Sequence, residues 1–154
     1  MNLTSPAQVK AWCLANGFHP NKVLGQNFLI DRNTLEAIVD AAGLPEAGAR
    51  VLEIGPSLGN PPALTVLAGD ALDAIKDGAC DNFPFLVSNL PYQAGTRILL
   101  ELIQRIAQAP ETMVVLVQTE VADRLAAGPG SKTRGLAGVW AQLDYDVKAV
   151  RKVA

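Results

Sequence analysis

The 154 residues suit one globular domain, because 49% hydrophobic and 18% charged residues exclude a disordered or collagen-like chain. Apolar runs stay below the ~20 residues of a membrane span, and the N-terminus lacks the basic flank and apolar core of a secretory signal. Cys13, Cys80 and the single His19 form neither a disulfide framework nor a metal-ligand pattern, so we expect free thiols, no metal and a cytoplasmic location.

Two helices are predicted before the first strand. Thr4-Ser5-Pro6 is typical of a helix start, and Asn16-Gly17 predicts its end. Asp31 can cap a second helix that ends at Gly43. The apolar residues with helical spacing are Val9, Trp12 and Cys13 in the first helix and Leu35, Ile38, Val39 and Ala42 in the second.

Short apolar runs then alternate with helical patterns. Strands are predicted at residues 51–54, 64–68, 83–88, 113–117 and 145–150. Helices are predicted at residues 93–109 with Ile98, Leu102 and Ile106 inward, at 119–127 with Thr119 as the cap and Val121 and Leu125 inward, and at 136–143. This alternation predicts an α/β domain with a mainly parallel sheet and helices on both faces.

The connection between the first two predicted strands is too short for a parallel sheet. Only Asn60-Pro61-Pro62-Ala63 separate Gly59 from the run at 64–68, whereas a parallel crossover needs a dozen or more residues. Either the two strands are not parallel neighbours, or a segment is absent from the chain near Asn60-Pro61.

Two motifs at strand ends are typical of nucleotide-like ligands. The first strand runs into Glu53-Ile54-Gly55-Pro56-Ser57-Leu58-Gly59, where glycines permit close backbone approach. An ordinary glycine-containing turn is the alternative. Asp70, in Gly69-Asp70-Ala71-Leu72, can accept a hydrogen bond from an adenine amino group, or it can be a helix N-cap.

The sharpest motif is Ser88-Asn89-Leu90-Pro91-Tyr92 after an apolar strand. The Asn89 side-chain oxygen and a neighbouring backbone carbonyl can each accept one N–H of an exocyclic amine, which orients the amine for methyl transfer. Pro91 stiffens the turn, and the Tyr92 ring can stack on an extruded base. The alternative is a proline turn with a core tyrosine. The motif favours adenine-N6 methylation, which needs no catalytic histidine.

Six motifs in this order resemble the small-subunit ribosomal RNA adenine dimethyltransferases of the kasugamycin-sensitivity type. They lie at residues 24–31, 51–59, 69–72, 88–92, 117–125 and 128–132 with Gly135, nearly the whole chain. The resemblance implies a Rossmann-like class I methyltransferase domain over residues 1–154, with S-adenosyl-L-methionine as cofactor. It also implies N6,N6-dimethylation of two adjacent adenines near the 3′ end of small-subunit rRNA during ribosome biogenesis.

The resemblance further implies roles for individual residues. The catalytic residues would be Asn89, Pro91 and Tyr92, with Leu90 completing the target pocket. The cofactor site would comprise Gln26, Asn27, Leu29, Glu53, Gly55, Gly59, Asp70, Ala71 and Asn89. Ser131, Lys132 and Arg134 would face RNA. The implied partner is small-subunit rRNA or a pre-30S particle, and we expect neither a membrane partner nor a metal, and a monomer.

The chain departs from that family in three places. Ser57 stands at a position that is usually glycine. The family places a helix, a second strand and an acidic residue for the cofactor ribose between the glycine-rich turn and Gly69, and no such unit corresponds to them here, so we expect about 25–30 residues to be absent near Asn60-Pro61. The chain ends at Ala154, where the family continues into a small helical RNA-binding domain. As written, the polypeptide is expected to bind the cofactor poorly.

Alternative functions stay open on the sequence. The erythromycin-resistance methyltransferases act on large-subunit rRNA with similar chemistry, but residues 128–132 fit the first family better. DNA adenine methyltransferases more often carry two prolines in the target motif. A non-enzymatic alternative is a catalytically silent RNA-binding factor that assists ribosome assembly. That alternative gains support if the natural protein lacks the carboxylate for the cofactor ribose. The net charge of −2 argues mildly against nucleic acid, although Lys148, Arg151 and Lys152 supply local basic charge.

Overall fold

The computed structural model describes residues 4–19, 29–45, 47–55, 65–105 and 107–153. Its helices are α1 (Pro6–Ala15), α2 (Arg32–Ala42), α3 (Ala71–Lys76), α4 (Gly95–Gln104), α5 (Thr119–Ala126) and α6 (Leu136–Asp144). Its strands are β1 (Val51–Leu52), β2 (Phe85–Asn89) and β3 (Thr112–Leu116). Within these ranges the sheet is parallel, in the order β1-β2-β3. Helices surround it, which confirms the predicted α/β class.

The register brings the carboxyl ends of the strands to one edge. Leu52 of β1 pairs with Leu86 of β2, and Asn89 of β2 pairs with Leu116 of β3. The connection from β1 to β2 includes α3 and that from β2 to β3 includes α4, as parallel neighbours require. The chain segments that follow the three strands therefore emerge side by side.

The core lies between β2 and the helices α3 and α4. Side chains that are almost completely buried come from each of these elements and from the turn after β2; they are Ile75, Leu86, Leu90, Ile98 and Leu102. Leu125 of α5 and Ala141 of α6 extend the same cluster. Burying the turn residue Leu90 in this core fixes the chain directly after Asn89.

The first two helices begin and end where the sequence predicts. Asp31 Oδ1 accepts a hydrogen bond from Thr34 N at 2.7 Å, and Gly43 ends α2 in the left-handed conformation at φ 56°. Hydrogen bonds from the Thr34 side chain and from Thr34 N lower the pKa of the Asp31 carboxyl, because they stabilise the charged form. Val39 is the exception in the predicted inward stripe, since 53% of its surface is exposed.

Two predicted strands are wrong. Residues 65–68 are irregular and lie outside the sheet, and Val66 and Leu67 are 54% and 66% exposed. Residues 145–150 are also irregular, although Tyr145 and Val147 pack against the core as the alternation predicts. An apolar run becomes a strand only when a neighbour accepts its backbone hydrogen bonds, and no described strand pairs with either run.

Two helix predictions also need correction at their ends. The predicted helix at 93–109 is shorter, because α4 ends at Gln104 and residues 107–109 form a turn; Ile106 lies outside the described residues. Thr119 does not cap α5. Gln118 is the N-cap, with extended backbone and no side-chain capping hydrogen bond.

Candidate functional site

The residues that follow the three strands meet at one edge of the sheet. Ile54 follows β1, Leu90 follows β2 and Val117 follows β3. Ser88 Oγ donates a hydrogen bond to the backbone oxygen of Ile54 at 2.7 Å, and Leu90 N donates to Leu116 O at 3.1 Å. These bonds hold the three segments together at the end of an open α/β sheet where ligands characteristically bind.

The turn after β2 is fixed from both sides. Asn89 is the last residue of the strand, and the following Leu90 is only 2% exposed. The backbone oxygen of Pro91 accepts a hydrogen bond from Gly95 N at 2.7 Å, so the turn leads directly into α4. Asn89 therefore stands on a rigid segment, which suits a side chain that must orient a reacting group.

A small cleft opens next to this turn. Its lining comes from the turn after β2, from the start of α4, and from the segment after β3 with α5; the residues are Leu90, Pro91, Tyr92, Gly95, Thr96, Val117, Gln118 and Val121. Tyr92 is 45% exposed, so part of its ring remains accessible for stacking. The predicted residues Pro91 and Tyr92 therefore both line this cleft, and the predicted Asn89 lies at the end of the strand that leads into it.

Two contributors to this edge had no predicted role. Ser88 is buried and joins β2 to the end of β1, and a polar residue within an apolar strand was the signal that could have revealed it. Gln118 contributes to the lining of the cleft, and its position at the end of a β-branched run was the corresponding signal.

Glu53 and Gly55 lie in the segment that follows β1. Partial desolvation raises the pKa of the Glu53 carboxyl. Gly55 has a φ of +77°, a conformation that favours glycine, and a Cβ built there would meet no described atom within 4 Å. Among the described residues, the backbone at Gly55 therefore has an open side, which fits close approach of a ligand.

Asp70 is a helix N-cap, as the simpler of its two interpretations predicts. Its Oδ1 accepts a hydrogen bond from Leu72 N at 2.8 Å at the start of α3, and the residue is exposed. The next residue, Ala71, packs partly against the core. Capping uses one carboxylate oxygen, so the interpretation of Asp70 as an adenine ligand stays a prediction.

The remaining predicted residues differ in burial or lie outside the described ranges. Leu29 is half-buried; Ser131 and Lys132 are exposed in the loop after α5. Arg134 is half-buried, and its Nε is buried without a hydrogen-bond partner in the described part of the chain. Gln26, Asn27, Gly59 and the Asn60-Pro61 junction lie outside the described residues.

Metal-binding clusters and membrane-spanning helices are both absent from the described residues. No group of three or more His, Cys, Asp or Glu side chains there could hold a metal ion. None of the described helices has the length and hydropathy to cross a bilayer.

The sequence is similar to a known family and to several curated proteins. A profile described as ribosomal RNA adenine dimethylase matches residues 60–154. A protein named ribosomal RNA small subunit methyltransferase A from Deinococcus radiodurans is 39% identical, over 98% of this chain and 61% of its own length. A protein of that name from Leifsonia xyli is 35% identical, over 90% of this chain and 61% of its own length. Another from Natranaerobius thermophilus is 32% identical, over 99% of this chain and 67% of its own length.

The alignments also bear on chain length. This chain spans about three fifths of the length of the first curated relatives that it matches. The alignment with the Deinococcus protein extends over 183 residues, more than the 154 residues of this chain. The relative must therefore carry residues inside the aligned region that have no counterpart here.

Proposed function

Because the chain belongs to the ribosomal RNA adenine dimethylase family, we propose that it is the cofactor-binding domain of an S-adenosylmethionine-dependent rRNA methyltransferase. The product is N6,N6-dimethyladenine at two adjacent adenines near the 3′ end of small-subunit rRNA. The observation that carries the proposal is the rigid turn from Asn89 to Tyr92 beside an open cleft at the carboxyl edge of the sheet. The domain comprises residues 1–154, and the whole protein acts in the cytoplasm on rRNA or a pre-30S particle.

In this mechanism the turn binds and orients the target amine. The Asn89 side-chain oxygen and the backbone oxygen of Leu90 each accept one N–H, which directs the nitrogen lone pair away from the ring. Tyr92 stacks on the extruded base, and the partly exposed ring provides the surface for that contact.

When bound, S-adenosylmethionine would supply a methyl group, which the oriented amine would take from its sulfonium with loss of S-adenosylhomocysteine and of the amine's proton to water. A second transfer to the same nitrogen would give the dimethyl product. Asn89 contributes positioning and charge stabilisation rather than proton transfer, so the absence of a nearby histidine in the described site is compatible with this chemistry.

In this proposal the residues after β1 and at the start of α3 would hold the cofactor. Gly55, with Glu53 two residues before it, would permit close approach of its methionine part. Asp70 would accept from its adenine through the carboxylate oxygen that does not cap α3. The other proposed contacts are Gln26, Asn27, Leu29, Gly59, Ala71 and Asn89. Support comes from the shared sheet edge and from the open side of Gly55.

RNA approaches the exposed loop that precedes α6. Ser131 and Lys132 are accessible there, and Lys132 can neutralise a phosphate. Arg134 is proposed with them, although it is only half-exposed. We further propose that the protein acts as a monomer.

The proposal is tested on the full-length protein with Asn89→Ala. At saturating cofactor, we expect methyl transfer to unmethylated small-subunit particles to fall by about 100-fold or more, as for the loss of a key positioning group. Asn33→Ala, an exposed asparagine of α2, is the matched control and should leave the rate unchanged. Full activity of Asn89→Ala would contradict the assignment, and absence of cofactor binding to the wild type in calorimetry would favour a silent assembly factor.

A further inference from the structure

Gln118 lies at the cleft, and its side chain makes no capping hydrogen bond to α5. Its backbone oxygen accepts hydrogen bonds from Val121 N and Ala122 N, both at 3.0 Å, and so begins α5. The side chain makes no capping hydrogen bond, and the residue is exposed. Gln118 nevertheless lines the same cleft as Pro91 and Tyr92. Its carboxamide is therefore in a position to serve a ligand rather than the fold.

Strand register places Gln118 at the same edge of the sheet as Asn89. Asn89 pairs with Leu116 in the parallel β2–β3 ladder. Gln118 follows Leu116 by two residues and lines the same cleft as Leu90 and Tyr92, which follow Asn89. The segment that carries Gln118 is therefore the immediate neighbour of the segment that carries Asn89.

The target base presents a hydrogen-bond acceptor beside its amine. In the proposed function, both hydrogens of the adenine amine are accepted by Asn89 and the backbone oxygen of Leu90. The ring atom next to the amino-bearing carbon on the Watson–Crick edge is N1, which accepts a hydrogen bond in adenine but carries a hydrogen in guanine. A carboxamide whose N–H side faces N1 matches adenine, and extruded bases are commonly read on this edge.

We propose that Gln118 is a specificity-determining residue whose side-chain amide donates a hydrogen bond to N1 of the target adenine. The assignment rests on the proposed function and adds the group that distinguishes the base. Asn89 and Gln118 then read adjacent atoms of one edge from the ends of two neighbouring strands, while Tyr92 contacts the ring face.

The test combines a protein variant with a single-atom change in the substrate. Full-length wild type and Gln118→Ala are assayed on reconstituted small-subunit particles with adenosine, 1-deazaadenosine or 7-deazaadenosine at the target positions. With adenosine and 7-deazaadenosine, Gln118→Ala should lower kcat/KM about three- to tenfold, the range for one hydrogen bond. With 1-deazaadenosine, which has no N1 acceptor, wild type and variant should react equally.

Three controls separate reading of the base from a structural role. Gln118→Glu keeps the shape but removes the donor, and it should lose at least as much activity as Gln118→Ala. Glu120→Gln, an exposed change in the same segment, should match the wild type. S-adenosylmethionine affinity and Tm should stay unchanged in all variants.

The outcomes distinguish this inference from the proposed function. Equal activity of Gln118→Ala and wild type on adenosine, or the same fold loss on 1-deazaadenosine, would overturn the role of Gln118 while methylation itself stands. A wild-type protein that methylates no adenosine substrate would overturn the proposed function and this inference with it.

Discussion

Ser88 and Asn89 are adjacent residues of β2 with different environments. Ser88 is 5% exposed, and its hydroxyl reaches across to β1, whereas Asn89 is half-buried at the sheet edge. Alternation along a strand sends successive side chains to opposite faces, so one can support the sheet while the other faces the proposed substrate. The polar pair is thus divided between stability and chemistry.

Ser88→Ala should destabilise the protein by about 1–3 kcal/mol, because it leaves the buried backbone oxygen of Ile54 without its donor. Urea unfolding would measure the change. Ser131→Ala in an exposed loop is the control and should stay within about 0.5 kcal/mol of the wild type. A similarly small effect at Ser88 would mean that water replaces the hydroxyl and that the bond does not hold β1.

At the scale of elements, local signals predicted helices well and strands less well. Asp31 and Gly43 predicted the ends of α2 because capping depends on a few neighbouring residues. Residues 65–68 and 145–150 have strand patterns but no described pairing partner, and no local signal reveals whether a partner exists. The turn at Asn89 could be predicted because its signal is local. The contribution of Gln118 to the cleft could not, because it depends on which strand lies next to β2.

The contact between α5 and α6 depends on one glycine. A Cβ at Gly138 would lie 2.3 Å from the backbone oxygen of Arg124, which cannot move without displacing α5. Gln142 Nε2 reinforces the contact by donating to Leu125 O at 2.6 Å and Ala127 O at 3.0 Å. These two bonds satisfy carbonyl groups at the end of α5, which would otherwise lack a donor.

Gly138→Ala should therefore separate the two helices and cost about 1–3 kcal/mol of unfolding free energy, as overpacking does elsewhere. Because Val121 of α5 belongs to the cleft wall, the change should also lower methylation by the full-length protein. Thermal unfolding is the primary measurement. Gly135→Ala is the matched control, since a Cβ there meets no described atom within 4 Å. Equal stability of the two variants would contradict the tight packing of α5 on α6.

For the whole molecule, the site depends on segments far apart in sequence. The ends of β1, β2 and β3 contribute Gly55, Asn89 and Gln118, and the sheet order brings them together. The described pairing is unequal, because β1 contributes two residues and β2 five. Relatives carry residues within the aligned region that this chain lacks, which supports the prediction of an absent segment near residue 60, where the family match also begins.

Because β1 has fewer paired residues than β2, we expect β1 to be the less stable of the two strands. Leu86 is fully buried and β2 is paired on both sides, whereas Val51 is 37% exposed and β1 pairs with β2 alone among the described strands. Backbone amides of β1 should therefore exchange with solvent at least about tenfold faster than those of β2, since local opening requires less free energy where fewer contacts are lost. Hydrogen exchange followed by NMR would measure this difference, with β3 as an internal reference. Equal protection of β1 and β2 would require a second neighbour for β1, and the cofactor side of the site would then be as rigid as the target side.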